Sequence, residues 1–515
     1  MRNNNLLNRF LKCFGMLIAI SIVSLSSVFA NVANPTVIGP IVCGQNGITC
    51  DQPNGLPQNT QTIHTDFTAS GYKEQEFFIQ GNATSYTSTT PLTADGNWNN
   101  IIPDTTAAYK TRVLVRTPIK PSKFNGTVLV EWSNVSAGFD LDFSYSTLTT
   151  PTLASEGMAY ILVTAQQAGV NGLKALDPAR YTSLTHPGDA FSYDIFSQLG
   201  QALTQPSDIN LLGGLNANKV IATGISQGGS ALVTYVNGVQ PLTQMFDGFL
   251  ISAQLAVGNA LLASDPLTYI FPLQVRNDDQ LQTPVINFED ETSTAGDVPY
   301  IFGIEDVYYL VRQPDNAFFR AWEIAGAAHL TAFMLQHLGL NPLTGLPPTI
   351  FGCTAPVNDG LVHHYVSDAA LHALNVWVNT GVMPAVHANV LSVDPPDPNV
   401  NPILPILNVQ QFNNQIGPDG LPFGIAIGGI RTPFVDVPIG VHSGKGNGPL
   451  NNANCLLLGT SIPYDEATLK SLYPNHGSYV SQVIQSTKNA VKQGFITKKD
   501  SVEIIQNATK SNVGK

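Results

Sequence analysis

Val220-Ile221-Ala222-Thr223-Gly224-Ile225-Ser226-Gln227-Gly228-Gly229 is the stretch on which the reading of this chain turns. Its first four residues are apolar or β-branched, as in a strand buried on both faces, and a helix-like segment follows over 229–237. Between them stands Gly-x-Ser-x-Gly. Glycines two before and two after the serine let strand and helix approach without Cβ clashes, and the serine occupies the tight, strained turn between them. The pentapeptide alone is a weak signal. The strand before it and the helix after it make Ser226 the candidate nucleophile.

A serine hydroxyl needs a base, and the chemistry then needs an acid to orient that base. The segment Arg320-Ala321-Trp322-Glu323-Ile324-Ala325-Gly326-Ala327-Ala328-His329 reads as a strand, a turn of small residues and a histidine, so His329 is the candidate base. His363 and His364 stand near a helix start, where a surface or capping role is expected. For the acid, Pro284-Val285-Ile286-Asn287-Phe288 leads into Glu289-Asp290-Glu291, three carboxylates where one is required. A glutamate further along the turn reaches back to the imidazole more easily than Glu289, whose side chain still follows the strand's alternation. Glu291 is therefore the expected acid, with Glu289 and Asp290 as alternatives. Two backbone N–H groups must face the developing oxyanion. One is assigned to Gln227, the residue after the serine, and the other to Asn134 in the loop Ser133-Asn134-Val135-Ser136-Ala137-Gly138.

Further buried-strand candidates lie at 127–132, 159–164, 219–223, 248–252, 284–288 and 320–325, with a half-exposed one at 109–115. Helical patterns at 192–201, 229–237 and 366–379 alternate with them. That order predicts an α/β fold with a mostly parallel sheet and helices on both faces. In such sheets ligands bind beyond the carboxyl ends of the strands, where Ser226, His329 and the acidic triplet fall. Residues 31–105 are expected to form a β-rich or irregular segment, 106–380 the catalytic core, and 381–515 an extension packed on it.

The composition excludes several function classes. A chain of 515 residues with 43% hydrophobic and 12% charged residues can bury a large core. A net charge of -12 argues against nucleic acid, which needs clustered Lys and Arg to displace counterions. Lysines gather only between Lys488 and Lys515, as on a solvated helix face. No nucleotide loop, flavin motif or metal-ligand spacing is present, so no cofactor is expected.

Arg2, Arg9 and Lys12 precede an apolar run ending in Val28-Phe29-Ala30, the pattern of a secretory signal cut after residue 30. The run is short for a bilayer span and broken by serines, so no stable membrane span is expected after cleavage. Export leaves four cysteines. Cys43 and Cys50 flank a turn-rich stretch and are expected to pair, and Cys353 with Cys455 follows by elimination. The site is periplasm or exterior.

Several blocks together resemble a known family. They are the run from Phe124 to Ser136, Asp177-Pro178-Ala179-Arg180-Tyr181, His186-Pro187-Gly188-Asp189, Ser192-Tyr193-Asp194-Ile195-Phe196-Ser197-Gln198, the serine turn, and Trp322-Glu323-Ile324-Ala325-Gly326 with His329. They are similar to the bacterial "alpha/beta hydrolase domain" family of exported hydrolases, and the likeness runs from about Gly71 to Tyr479. It implies an α/β-hydrolase fold with Ser226 as nucleophile and His329 as base. Within it, Phe288-Glu289-Asp290-Glu291-Thr292-Ser293 is similar to a family segment with an acidic residue where this chain has Ser293. That departure again leaves Glu291 as the expected acid. The resulting expectation is a carboxylic-ester hydrolase acting on a small-molecule or lipid-like ester. Lipase, thioesterase, polyester and amide hydrolases share the machinery. A protein that keeps the fold as a binding module without activity is the rival from another class.

Overall fold

The computed structural model describes residues 32–44, 70–144, 150–263, 268, 274–295, 307–337, 350–386, 391–395, 406–411 and 424–515. One nine-stranded sheet organises them. Its strands are β1 (Thr36–Ile38), β2 (Tyr72–Ser88), β3 (Ile101–Pro118), β4 (Thr127–Trp132), β5 (Ala159–Val163), β6 (Lys219–Ile225), β7 (Gly248–Ser252), β8 (Val285–Glu289) and β9 (Phe319–Glu323). The order across the sheet is β1-β2-β3-β5-β4-β6-β7-β8-β9. β1, β2 and β3 pair antiparallel, and β3 meets β5 antiparallel. From β5 to β9 all pairs are parallel.

Strand alternation explains why two helical layers are needed. In β4 every residue is buried. Val128, Val130 and Trp132 pack with Ile195, Phe196 and Leu199 of the helix Ser192–Thr204. Leu129 points the other way, into a cluster with Val366, Ala370 and Leu374 of the helix Leu361–Thr380. A sheet apolar on both faces must be covered on both. The predicted mostly parallel α/β architecture is therefore the observed one.

The strands fall where the sequence places them, with ends shifted by a residue or two. β2 and β3 form a long ladder from Tyr72↔Pro118 to Ser88↔Ile101. β3 thus runs across the expected boundary at residue 105, and the leading segment contributes strands to the main sheet rather than a separate layer. At the other end, the helices His476–Gln493 and Lys498–Lys510 pack against Tyr365 and Val437, and Phe495 meets Trp322 edge-on at 5.0 Å.

Cys353 and Cys455 form a disulfide across 102 residues of sequence, as expected. Cys50 and the segment read as a signal lie outside the described residues. Among the described residues no helix is long and apolar enough to cross a membrane.

Candidate active site

β6 delivers Ser226 with φ 57° and ψ -117°, a conformation that non-glycine residues rarely adopt. The turn is held by the Ser226 N–H, which donates to Ser252 O at 2.9 Å, and by Ser226 O, which accepts from Ser230 N at 2.9 Å. The flanking glycines are required by contact. A Cβ on Gly228 would sit 2.7 Å from Trp132 O, and one on Gly224 2.7 Å from Gly228 O. The helix begins at Gln227, immediately after the serine.

β9 leads through Gly326 (φ 85°) to His329. His329 Nε2 lies 3.0 Å from Ser226 Oγ. On its other side, Nδ1 lies 2.9 Å from Ser293 Oγ. Ser293 Oγ in turn donates to Asp290 Oδ2 at 2.9 Å. Asp290 Oδ2 itself is 3.8 Å from His329 Nδ1. Four side chains thus form one polar chain, Ser226, His329, Ser293, Asp290, drawn from the ends of β6, β9 and β8. Burial pulls the His329 pKa below its usual value, and the charge of Asp290 opposes that shift.

The expectation that Glu291 faces the imidazole is not met. Its carboxylate accepts the N–H of Gly326 at 2.5 Å, the N–H of Gly444 at 2.7 Å and the hydroxyl of Ser443 at 2.9 Å. The reason is local. Asp290, the first residue after β8, caps the short helix Glu291–Ala295: its Oδ1 accepts from Ser293 N at 2.8 Å and its backbone O from Thr294 N at 3.0 Å. That cap turns Asp290 and Ser293 together toward His329 and sends Glu291 toward the 443–444 loop. Burial raises Glu291 to about 7, with the Gly326, Gly444 and Ser443 donors opposing. Glu289 keeps its strand position and accepts the N–H of Gln254 at 2.8 Å. Burial, reinforced by the neighbouring Asp290 charge, raises its pKa well above the ordinary value.

Gln227 and Asn134 bolt the β4 loop to the serine turn. Gln227 Oε1 accepts from Val135 N at 3.2 Å, and its Nε2 donates to Gln166 Oε1 at 3.0 Å. Asn134 Nδ2 donates to Ile225 O at 3.1 Å, while its Oδ1 accepts from Ser136 N at 2.9 Å. His363 is buried, stacked on Phe288 at 5.0 Å, and not a surface or capping residue as expected. Burial lowers its pKa to about 4, so it sits neutral behind the site. His364 is buried as well and stacks on Phe333 at 4.3 Å. Ser293 is the site residue that sequence reasoning passed over, and the signal was Asp290-x-x-Ser293, a capping spacing directly after a strand.

Ser226 and His329 open on a cavity of about 500 Å³ whose other walls include Phe139, Leu141, Met334 and Leu457. The sequence pattern described as "Alpha/beta hydrolase domain" matches residues 37–506. The chain belongs to this family. Among solved structures the α/β hydrolase is similar to XC6422 from Xanthomonas campestris, described as a serine hydrolase without a lid, at 12% identity, covering 46% of this chain and 92% of that one with a TM-score of 0.27. It is also similar to a glucuronoyl esterase from Solibacter usitatus (11% identity, 52% and 71% covered, TM-score 0.26) and to an esterase from Rhizomucor miehei (12% identity, 61% and 88% covered, TM-score 0.29). At these identities the likeness carries no argument about substrate. No protein in a search of the curated proteins matches the chain.

Proposed function

We propose that this α/β hydrolase cleaves carboxylic esters through an acyl-enzyme, with Ser226 as nucleophile and His329 as general base. The observation that carries the reading is the 3.0 Å contact between Ser226 Oγ and His329 Nε2 at the strained turn after β6. For Nε2 to accept the serine proton, the ring proton must sit on Nδ1, which then donates to Ser293 Oγ while the Ser293 hydroxyl donates to Asp290. We assign Asp290 as the acid, acting through Ser293, in place of Glu291.

In the first half-reaction Ser226 Oγ bonds to the ester carbonyl carbon and its proton passes to His329 Nε2. The oxyanion is met by the N–H groups of Gln227 and Asn134. Those of Val135 and Ser136 are engaged by the side chains of Gln227 and Asn134, which makes Asn134 N–H the loop donor we assign. The intermediate collapses, the C–O bond to the alcohol breaks, and His329 returns the proton to the departing oxygen. Water then repeats the sequence on the acyl-enzyme and releases the acid. No step calls for a cofactor. The signal-like start of the sequence and the Cys353–Cys455 disulfide support an exported enzyme.

Labelling with a fluorophosphonate probe tests the assignment. Ser226 should carry the label, and Ser226→Ala should lose both labelling and hydrolysis of p-nitrophenyl butyrate while its thermal midpoint stays near that of the parent. Unchanged hydrolysis by Ser226→Ala refutes the assignment. An unlabelled, inactive but folded parent chain would favour the binding-module alternative.

A further inference from the structure

The cavity identifies the class of ester. We infer that the substrate is an uncharged ester carrying an apolar chain of on the order of ten carbons, housed in the cavity beside Ser226. The inference rests on Ser226 being the nucleophile.

Three observations carry it. First, the cavity of about 500 Å³ is walled mainly by Phe, Leu, Ile and Met side chains, and none of its lining residues among those described is Asp, Glu, Lys or Arg. Its polar lining is confined to Ser226, His329, Asn134, Ser136 and Asn454. A carboxylate or ammonium on the substrate would lose its water and meet no opposite charge, whereas a hydrocarbon chain loses nothing by entering.

Second, the wall is built rigidly to be apolar. Along the segment after β4, Leu141 and Phe143 face the cavity while Asp140 and Asp142 alternate to the opposite side. There Asp140 pairs with Arg112 at 2.9 Å and Asp142 with Arg116 at 2.8 Å, all four buried. These interior ion pairs fix the segment so that its charge points away from the substrate and its hydrocarbon toward it.

Third, the apolar lining continues outward. Phe351 lines the cavity yet is 47% exposed, a large aromatic left facing water at its rim. A chain entering the cavity would cover it. The volume sets the length: a methylene takes up roughly the 30 Å³ that a water occupies in the liquid, so the cavity holds the ester group and on the order of ten carbons.

The test is a specificity profile of the purified chain. With p-nitrophenyl esters of two to sixteen acyl carbons, kcat/KM should rise about fourfold per added methylene, the factor expected for burying one CH₂. It should level off or fall once the cavity is full, at about eight to twelve carbons. Comparing ethyl decanoate with decyl acetate decides whether the chain lies on the acyl or the alcohol side. Met334→Trp, or Leu457→Trp if the first does not fold, should move the optimum to shorter chains. A preference for acetate, or a methyl hemisuccinate cleaved as well as methyl decanoate, overturns the inference while leaving Ser226 as nucleophile. Loss of Ser226 labelling with no ester cleaved would instead refute the underlying assignment.

Discussion

Removing the Ser293 hydroxyl tests the assignment of Asp290 most directly. Ser293→Ala deletes the single atom that touches both His329 Nδ1 and Asp290 Oδ2, each at 2.9 Å. The backbone N–H of residue 293 still holds Asp290 Oδ1 at 2.8 Å, so the acid should stay where it is. The lost interaction is a hydrogen bond to a group that becomes charged in the transition state, worth about 1.5–3 kcal/mol, which lowers kcat roughly 10- to 150-fold. Asp290→Asn removes more. A unit charge 3.8 Å from the imidazolium contributes about 4 kcal/mol at an effective dielectric constant of 20, or about 10³-fold in kcat.

The pH profile separates relay from simple packing. Asp290 raises the His329 pKa against the pull of burial. Asp290→Asn should therefore shift the acid limb of kcat/KM to lower pH, whereas Ser293→Ala, which keeps the charge, should leave the limb nearly in place while lowering the plateau. Ser293→Thr retains a hydroxyl and should recover most of the turnover. The assay is steady-state hydrolysis of p-nitrophenyl butyrate between pH 4 and 9. Parental kcat in Ser293→Ala, or a loss of only a few fold in Asp290→Asn, would refute the chain of contacts as the orienting device.

Three other outcomes follow from the structure. Because burial outweighs Asp290 in setting the His329 pKa, the neutral base should persist below the ordinary histidine value of 6.5, so the parent's kcat/KM should climb to its plateau with a midpoint under pH 6.5. Glu291→Gln should lower stability by about 1–3 kcal/mol with little change in kcat, since an amide cannot accept from Gly326, Gly444 and Ser443 together. As Glu291 is raised from 4.5 to about 7, the folded state holds its proton more tightly, so this group's contribution should decline as pH rises across that window; denaturant midpoints of parent and variant, compared between pH 4.5 and 7, should show the slope in the parent alone. Replacing Cys353 and Cys455 by serine should cost roughly 3–5 kcal/mol for a loop of 102 residues. It should also flatten the chain-length profile, because Phe351, Asn454 and Leu457 of the cavity wall flank those cysteines; an unchanged profile with a lower midpoint would show that the bridge stabilises without shaping the site.

The parallel strands were legible because they are buried on both faces and need nothing from distant sequence to be recognised. β4 and β6 are continuous apolar runs, and each occupies the span assigned to it within two residues. Ser226 was legible for a related reason: the glycines around it answer to contacts of 2.7 Å made within the same strand, turn and helix or with the adjacent strand. The cavity was not legible. Leu141, Met334 and Leu457 come from separate segments and share a wall only after the chain has folded.

The acid illustrates where local reasoning can go one residue astray. Strand alternation was carried past Phe288 into the acidic triplet, and on that logic the carboxylate best able to reach back was Glu291. The strand ends at Glu289, however, and a different periodicity takes over. Once Asp290 serves as a cap, residues 290 and 293 come together because a capping side chain meets the N–H of the third helical residue. A serine there cannot carry the charge that stabilises an imidazolium, so its presence beside His329 Nδ1 requires a carboxylate on its far side, and Asp290 Oδ2 stands there at 2.9 Å. The substitution that seemed to remove an acid from the site is the one that identifies which acid the site uses.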